Sequence, residues 1–247
     1  MADDVPAVQV TALRKAFGRQ EVLRGLDLEV PAGEVLALLG ANGAGKTTTV
    51  SILTTLLKAD GGTARVAGLD VAREPARVRQ AVTVTGQNVA VDAVLTGLEN
   101  LTLIARLRHV PAPKQVAAGL VERFGLADAA CRRAGTYSGG MKRRLDIAMS
   151  LIGDPQVVFL DEPTTGLDPG GRREVWVAVD AMAARGRTII LTTQYMEEAA
   201  RLAGTMAVLH DGVAVATGRH EEILRAAGGA ADLETAFLRL TGQEETR

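Results

Sequence analysis

The stretch "EVLALLGANGAGKTTTVSILTTLL", residues 34–57, confines the chain to a narrow set of folds. "EVLALL" is a short continuous apolar run, the pattern of a strand covered on both faces. It leads into "GANGAGKTT", residues 40–48, which has the spacing G-x-x-x-x-G-K-[ST], and a helical pattern follows. In such a loop Gly40, Gly43 and Gly45 let the backbone approach a phosphate without a Cβ in the way. The amides around Asn42, together with the helix N-terminus, then form a cradle for an anion. Lys46 supplies charge at the β- and γ-phosphates of a nucleotide, Thr47 offers a hydroxyl to Mg²⁺, and Thr48 completes the phosphate-binding set. A dinucleotide fingerprint does not fit, because the glycines do not fall as G-x-G-x-x-G.

Two further stretches acquire meaning beside this loop. "VVFLDEP", residues 157–163, is an apolar strand ending in two carboxylates, which are costly to bury without a cation or hydrogen-bond donors. Asp161 can hold the Mg²⁺ shell, and Glu162 can face the water that attacks the γ-phosphate. "TYSGGMKRRLDIAMSLI", residues 136–152, places Ser138 as the N-cap of a helix, with Gly139 and Gly140 as its entrance. Its plain reading is a tight helix start. Its functional reading is a second phosphate-binding N-terminus, and because Lys46 and Asp161 already surround the first site, the phosphate would belong to a partner's nucleotide.

The remaining pattern is that of one large domain with a sizeable insert, in a chain of 247 residues. "AVQVTAL" and "LDLEV" alternate like half-buried antiparallel strands around a turn near "FGRQ". "QAVTVT", "PQVVFLD", "RTIILTT" and "TMAVLH" read as buried strands, and residues 88–154 read mainly as helix. This predicts a parallel α/β sheet with antiparallel strands at its front edge and an inserted helical subdomain. Residues 1–225 form the nucleotide-binding domain on this reading. "AAGGAA", 226–231, is a short hinge before an amphipathic last helix, "DLETAFLRL", within 226–247. Aromatic residues make up only 3% of the chain, so the core rests on Ala, Val, Leu and Ile. A net charge of −1 gives no general pull toward nucleic acid or an anionic bilayer. The start "MADDVPAVQV" lacks the features of a signal peptide, and no window approaches the ~20 apolar residues of a membrane span, so a cytosolic protein is expected. The single cysteine, Cys131, is expected only to fill space.

In this order the motifs resemble those of the ATP-binding subunits of ABC transporters, over most of the chain. The resemblance implies a P-loop NTPase with a RecA-like α/β core, an antiparallel β edge and an inserted α-helical subdomain. It makes "GANGAGKTT" the Walker A motif, "VVFLDEP" Walker B with Glu162 as catalytic glutamate, and "YSGGM" the signature motif, with Tyr and Met where Leu and Gln are common. "TTGLDP", 164–169, resembles the D-loop around Asp168. "VTGQN" places Gln87 at the Q-loop, which touches Mg²⁺ or water and leads to the surface facing the membrane subunit. Phe17 stands where an aromatic residue stacks on adenine; its alternative is a core residue at a strand end. One Walker A and one signature motif per chain imply a head-to-tail homodimer that sandwiches two ATP molecules. They also imply a place on the inner face of the cell membrane, reached through a separate permease.

Within "IILTTQYMEEA", residues 189–199, Gln194 occupies the place of the family's switch histidine. A glutamine amide can donate to a γ-phosphate and accept from water, but it cannot carry a proton. Gln194 is therefore expected to position the attacking water, as a glutamine does in P-loop GTPases, with Glu162 as the main base. This substitution, with "TGQNVAVDAVLTGLENL" and "LETAFLRLTG", is similar to the daunorubicin-resistance type of ABC ATPase, which implies export of a drug with an ABC-2-type permease. Two alternatives stay open: a soluble ABC ATPase not acting in transport, and a nucleotide-gated module that binds ATP without hydrolysing it.

Overall fold

A computed structural model describes residues 5–86 and 90–243. The chain opens with the long hairpin β1 (Val8–Phe17) and β2 (Gln20–Val30), turning at Gly18, which takes a positive φ of 60°. β3 (Val35–Leu39) follows, then α1 (Lys46–Leu53), β4 (Gly61–Val66), β5 (Leu69–Asp70), α2 (Pro75–Ala81) and β6 (Val82–Thr85). Three longer helices come next: α3 (Gly97–Leu107), α4 (Pro113–Arg123) and α5 (Gly139–Ser150). The last part comprises β7 (Val157–Asp161), α6 (Pro169–Ala183), β8 (Thr188–Thr193), α7 (Met196–Leu202), β9 (Thr205–His210), β10 (Val213–Gly218), α8 (His220–Ala226) and α9 (Leu233–Leu240).

Two sheets result. One is antiparallel, in the order β2-β1-β4-β5, and the other runs β10-β9-β3-β8-β7-β6 with β10 alone antiparallel. The central strands are buried along their whole length, as their unbroken apolar runs require. Their pleat divides the core in two. Val158 and Leu160 of β7 join Leu101, Leu145 and Val175 on the helical side, whereas Val157 and Phe159 join Leu13, Leu26, Val50 and Leu53 beneath the antiparallel sheet. A period of two along the strand thus assigns each residue to one layer or the other.

The four expected buried strands, the opening hairpin and the helix after the glycine loop are all present. The antiparallel part is larger than expected: β4, β5 and β10 had no marked alternation in the sequence, and they owe their pairing to neighbours already in place. Cys131 is exposed, so it does not fill core space. The turn after α8 closes on that helix through Gly229 and Ala230, whose N–H groups donate to Leu224 O. Leu233, Ala236 and Phe237 of α9 then pack into the core on the helical side. Among the described residues no helix is long and apolar enough to cross a membrane.

Candidate functional site

Parallel register decides what meets at the carboxyl end of the large sheet. Leu39 pairs with Thr193, and Thr192 with Asp161, so the loops that begin at Gly40, Gln194 and Glu162 leave three adjacent strands at one level. Phosphate sites in open α/β sheets form at this end of the strands.

The glycine loop is held against its own backbone. Lys46, 4% exposed, donates from Nζ to Gly40 O at 2.7 Å and Ala41 O at 3.2 Å. Gly45 has a φ of 107°, and a Cβ there would lie 2.7 Å from Leu23 Cδ2 and 3.2 Å from Val22 O, so the left-handed backbone and the close approach of β2 both favour glycine. Gly43 and Asn42 are exposed and line, with Gln20, Val22, Thr48 and Glu162, an open cavity of about 340 Å³. Burial pushes the Lys46 amine below its ordinary range, while Glu162 and Asp161 hold it up.

Both carboxylates stand beside that lysine. Glu162 Oε1 is 3.7 Å from Lys46 Nζ, and Glu162 Oε2 accepts from Thr165 Oγ1 at 3.2 Å. Asp161 Oδ1 accepts from Thr192 Oγ1 at 2.5 Å and from Thr47 Oγ1 at 3.3 Å. Glu162 has a φ of 48°, a conformation that costs a non-glycine residue on the order of 1–2 kcal/mol. Its N–H is fixed by Thr192, at 3.0 Å to Oγ1 and 3.2 Å to O. Such strain persists only where the surroundings hold it, and it turns the carboxylate toward Lys46 rather than back into the sheet.

The donor set suits a hard, octahedral cation. Mg²⁺ is bound through one or two protein oxygens plus substrate phosphates and water, rather than by a full protein cage. Asp161 and Thr47 supply one carboxylate and one hydroxyl, already within 3.3 Å of each other, at the mouth of the phosphate loop. Among the described residues no cluster of three or more His, Cys, Asp or Glu side chains competes for a metal.

Other predicted residues stand apart from this cavity. Ser138 caps α5, its hydroxyl accepting from Met141 N at 3.1 Å, and Ser138 and Gly139 are exposed, so the helix entrance faces solvent. Asp168 caps α6, accepting from Gly171 N at 2.8 Å. Gly140 and Gly171 bring the two helix starts together: a Cβ on Gly140 would lie 2.9 Å from Gly171 Cα. None of Ser138, Gly139, Gly140 or Asp168 is among the residues lining the Lys46 cavity. The tyrosine of "YSGGM" has a structural reason, since buried Tyr137 donates from its hydroxyl to Ala129 O at 2.7 Å and anchors the loop ahead of α5.

Phe17 is 51% exposed, so it is not a core residue; Lys15 Nζ sits 5.5 Å from its ring centre. It pairs across the hairpin with Gln20, a cavity-lining residue, but is not itself among the residues that line the cavity. Gln194 is half-buried one residue beyond β8. Gln87 lies outside the described residues. Sequence reasoning missed Thr192, which bonds to both carboxylate-bearing residues, because a threonine inside an apolar strand carries no signal until its neighbours are known. It also missed Arg143, whose guanidinium is buried beneath the same loop.

Comparison with known proteins agrees with this geometry. The model of the ABC transporter family matches residues 23–165. The chain is 52% identical over 225 residues to the daunorubicin resistance ATP-binding protein DrrA2 of Streptomyces coeruleorubidus, covering 90% of this chain and 70% of that protein. It is 48% identical over 232 residues to the doxorubicin resistance ATP-binding protein DrrA of Mycobacterium tuberculosis, covering 92% and 70%. A solved ATP-binding subunit of an ABC transporter superposes with a TM-score of 0.83 at 27% identity, covering 95% of this chain and 99% of the other.

Proposed function

This chain belongs to the ABC transporter family of ATP-binding, ATP-hydrolysing subunits, and on that premise we propose that it powers export of a drug or hydrophobic natural product through a separate membrane subunit. The observation that carries the reading is the convergence of Lys46, Thr47 and Glu162 on one cavity at the ends of parallel strands, with buried Asp161 bonded to Thr47 behind it. The names of the relatives support the drug assignment.

In this mechanism the loop amides and Lys46 hold the β- and γ-phosphates, and Phe17 stacks on the adenine. Thr47 and Asp161, with Gln87, would hold Mg²⁺, which when bound neutralises phosphate charge. Glu162 accepts a proton from the attacking water as its oxygen bonds to the γ-phosphorus, and the bond to the β-phosphate oxygen breaks to leave ADP and phosphate. Gln194 orients that water and donates to the γ-phosphate. Lys46, 3.7 Å away, stabilises the Glu162 carboxylate before the proton moves, and nucleotide enters past the exposed loop residues Asn42 and Gly43.

The exposed entrance of α5 suits a nucleotide held by a second copy, so the working unit is a head-to-tail homodimer with two sandwiched ATP molecules, a closed and isologous arrangement. The dimer docks on an ABC-2-type permease from the cytoplasmic face, with no role for nucleic acid. Residues 1–225 form the ATP-binding domain, about 88–154 its helical signature subdomain, and 226–247 the hinge and last helix. The test is phosphate release with Mg²⁺-ATP, with and without the permease, for wild type, Glu162→Gln and Gln194→His. Turnover that collapses only in Glu162→Gln supports the motor. No wild-type turnover in either setting, restored by Gln194→His, would make the chain a nucleotide-gated switch instead.

A further inference from the structure

Helix α5 carries a buried ion pair one turn inside the Ser138–Gly140 entrance. Arg143 and Asp146 are 4% and 5% exposed, and Arg143 Nη1 lies 3.2 Å from Asp146 Oδ2. Burial weakens the charged form of both partners, so the pair alone does not account for their position inside the protein. What distinguishes Arg143 is where its other donors go. Nε donates to Pro163 O at 3.0 Å and Nη2 to Asp161 O at 3.3 Å, the carbonyls on either side of Glu162. Nη1 also donates to Gly86 O at 2.7 Å, and Asp146 Oδ1 accepts from Ala90 N at 3.1 Å.

From this geometry we infer that Arg143, oriented by Asp146, is a positioning residue that holds the Glu162 backbone in its strained left-handed conformation and ties it to the helix that carries Ser138. The inference rests on the reading of Glu162 as the base. Thr192 grips Glu162 through its N–H, from the β8 side, and Arg143 grips the flanking carbonyls from the α5 side. With both in place the residue between has no freedom to relax out of a φ of 48°. A planar guanidinium is suited to this, because its fixed fork of donors reaches acceptors on two segments at once, which an ammonium at the same place does not. Displacement of α5 at its Ser138 end is then transmitted to the carboxylate of the same chain. The pair also pins Gly86 and Ala90, so this link extends to the residues that flank 87–89.

The test uses the full chain with Mg²⁺-ATP and compares wild type, Arg143→Gln, Arg143→Lys, the double change Arg143→Gln with Asp146→Asn, and Glu162→Gln. The double change removes both buried charges, so it is the variant expected to melt close to wild type. Expected for Arg143→Gln and the double change is a fall in kcat of about 10- to 100-fold. The affinity for a fluorescent ATP analogue stays within about threefold, because the Lys46 loop is untouched. Arg143→Lys keeps the charge without the fork and is expected to recover little. Adding Arg143→Gln to Glu162→Gln is expected to cost nothing further, since Arg143 acts through Glu162. A folded Arg143 variant with kcat within twofold of wild type overturns the inference, as does a loss that multiplies with that of Glu162→Gln. If Glu162→Gln itself turns over normally, the assignment of the base fails instead. The two failures are therefore separable.

Discussion

Gly140 and Gly139 are adjacent in "YSGGM", yet the structure predicts opposite outcomes for the same substitution. A Cβ on Gly140 would lie 2.9 Å from Gly171 Cα and 2.8 Å from Glu174 Oε2. The glutamate can swing aside at the expense of its 3.1 Å pair with Arg144, but the Gly171 backbone is part of α6. Restoring an ordinary contact requires the two helix starts to part by about half an ångström, and overpacking of this kind costs about 1–3 kcal/mol. Alanine regains up to about 1 kcal/mol in helix propensity, less at a helix start, which leaves Gly140→Ala about 1–2 kcal/mol less stable. At roughly 2–4 °C per kcal/mol for a domain this size, Tm falls by about 2–8 °C. Gly139→Ala meets only the methyl Leu167 Cδ2, at 3.1 Å, which can rotate away, so its Tm is expected to hold or rise slightly. On the proposed head-to-tail pairing its ATP turnover is expected to fall, because the added methyl sits at the exposed entrance of α5. The assay is thermal melting of the nucleotide-free chain beside phosphate release. Gly140→Ala melting at or above wild type, or Gly139→Ala losing as much stability, would refute the close-approach argument.

Thr192→Val keeps the shape of β8 but removes the hydroxyl that serves both Asp161 Oδ1 and Glu162 N. A lost hydrogen bond to a charged group is worth about 1.5 kcal/mol or more, so kcat is expected to drop roughly tenfold or further, and an unchanged rate would show that the hydroxyl does not orient the carboxylates. Glu198 on α7 is 1% exposed, and burial pushes its carboxyl above its ordinary 4.5, against the pull of Thr193, Thr164, Trp176 and Arg172. Thr164 and Trp176 face it without closing tight hydrogen bonds, and Arg143 faces it from α5. A raised carboxyl contributes stability that is complete below the unfolded value and is lost as pH rises through the folded one. Glu198→Gln should therefore gain Tm relative to wild type as pH climbs from 4.5 toward neutrality; a difference that stays flat over that range would contradict the raised value.

Much of this protein is written locally. The glycine loop between a buried strand and a helix, the apolar strand that ends in Asp161 and Glu162, and the Ser138 cap each depend on neighbours in sequence, so each was legible there, and the central strands β3, β7 and β8 followed from unbroken apolar runs. What the sequence left open depends on groups distant along the chain. β4, β5 and β10 are strands because neighbouring strands accept them, and Phe17 is exposed at the end of its hairpin strand. Gly140 matters for packing only because Gly171 lies against it. Arg143 reads as a surface charge on a helix with basic neighbours, and it becomes a clamp only when β7, α5 and residues 86 and 90 meet around it. Backbone propensity and loop chemistry are short-range and survive in the sequence. Which buried donor meets which carbonyl is decided by packing, and only the tertiary structure holds that information.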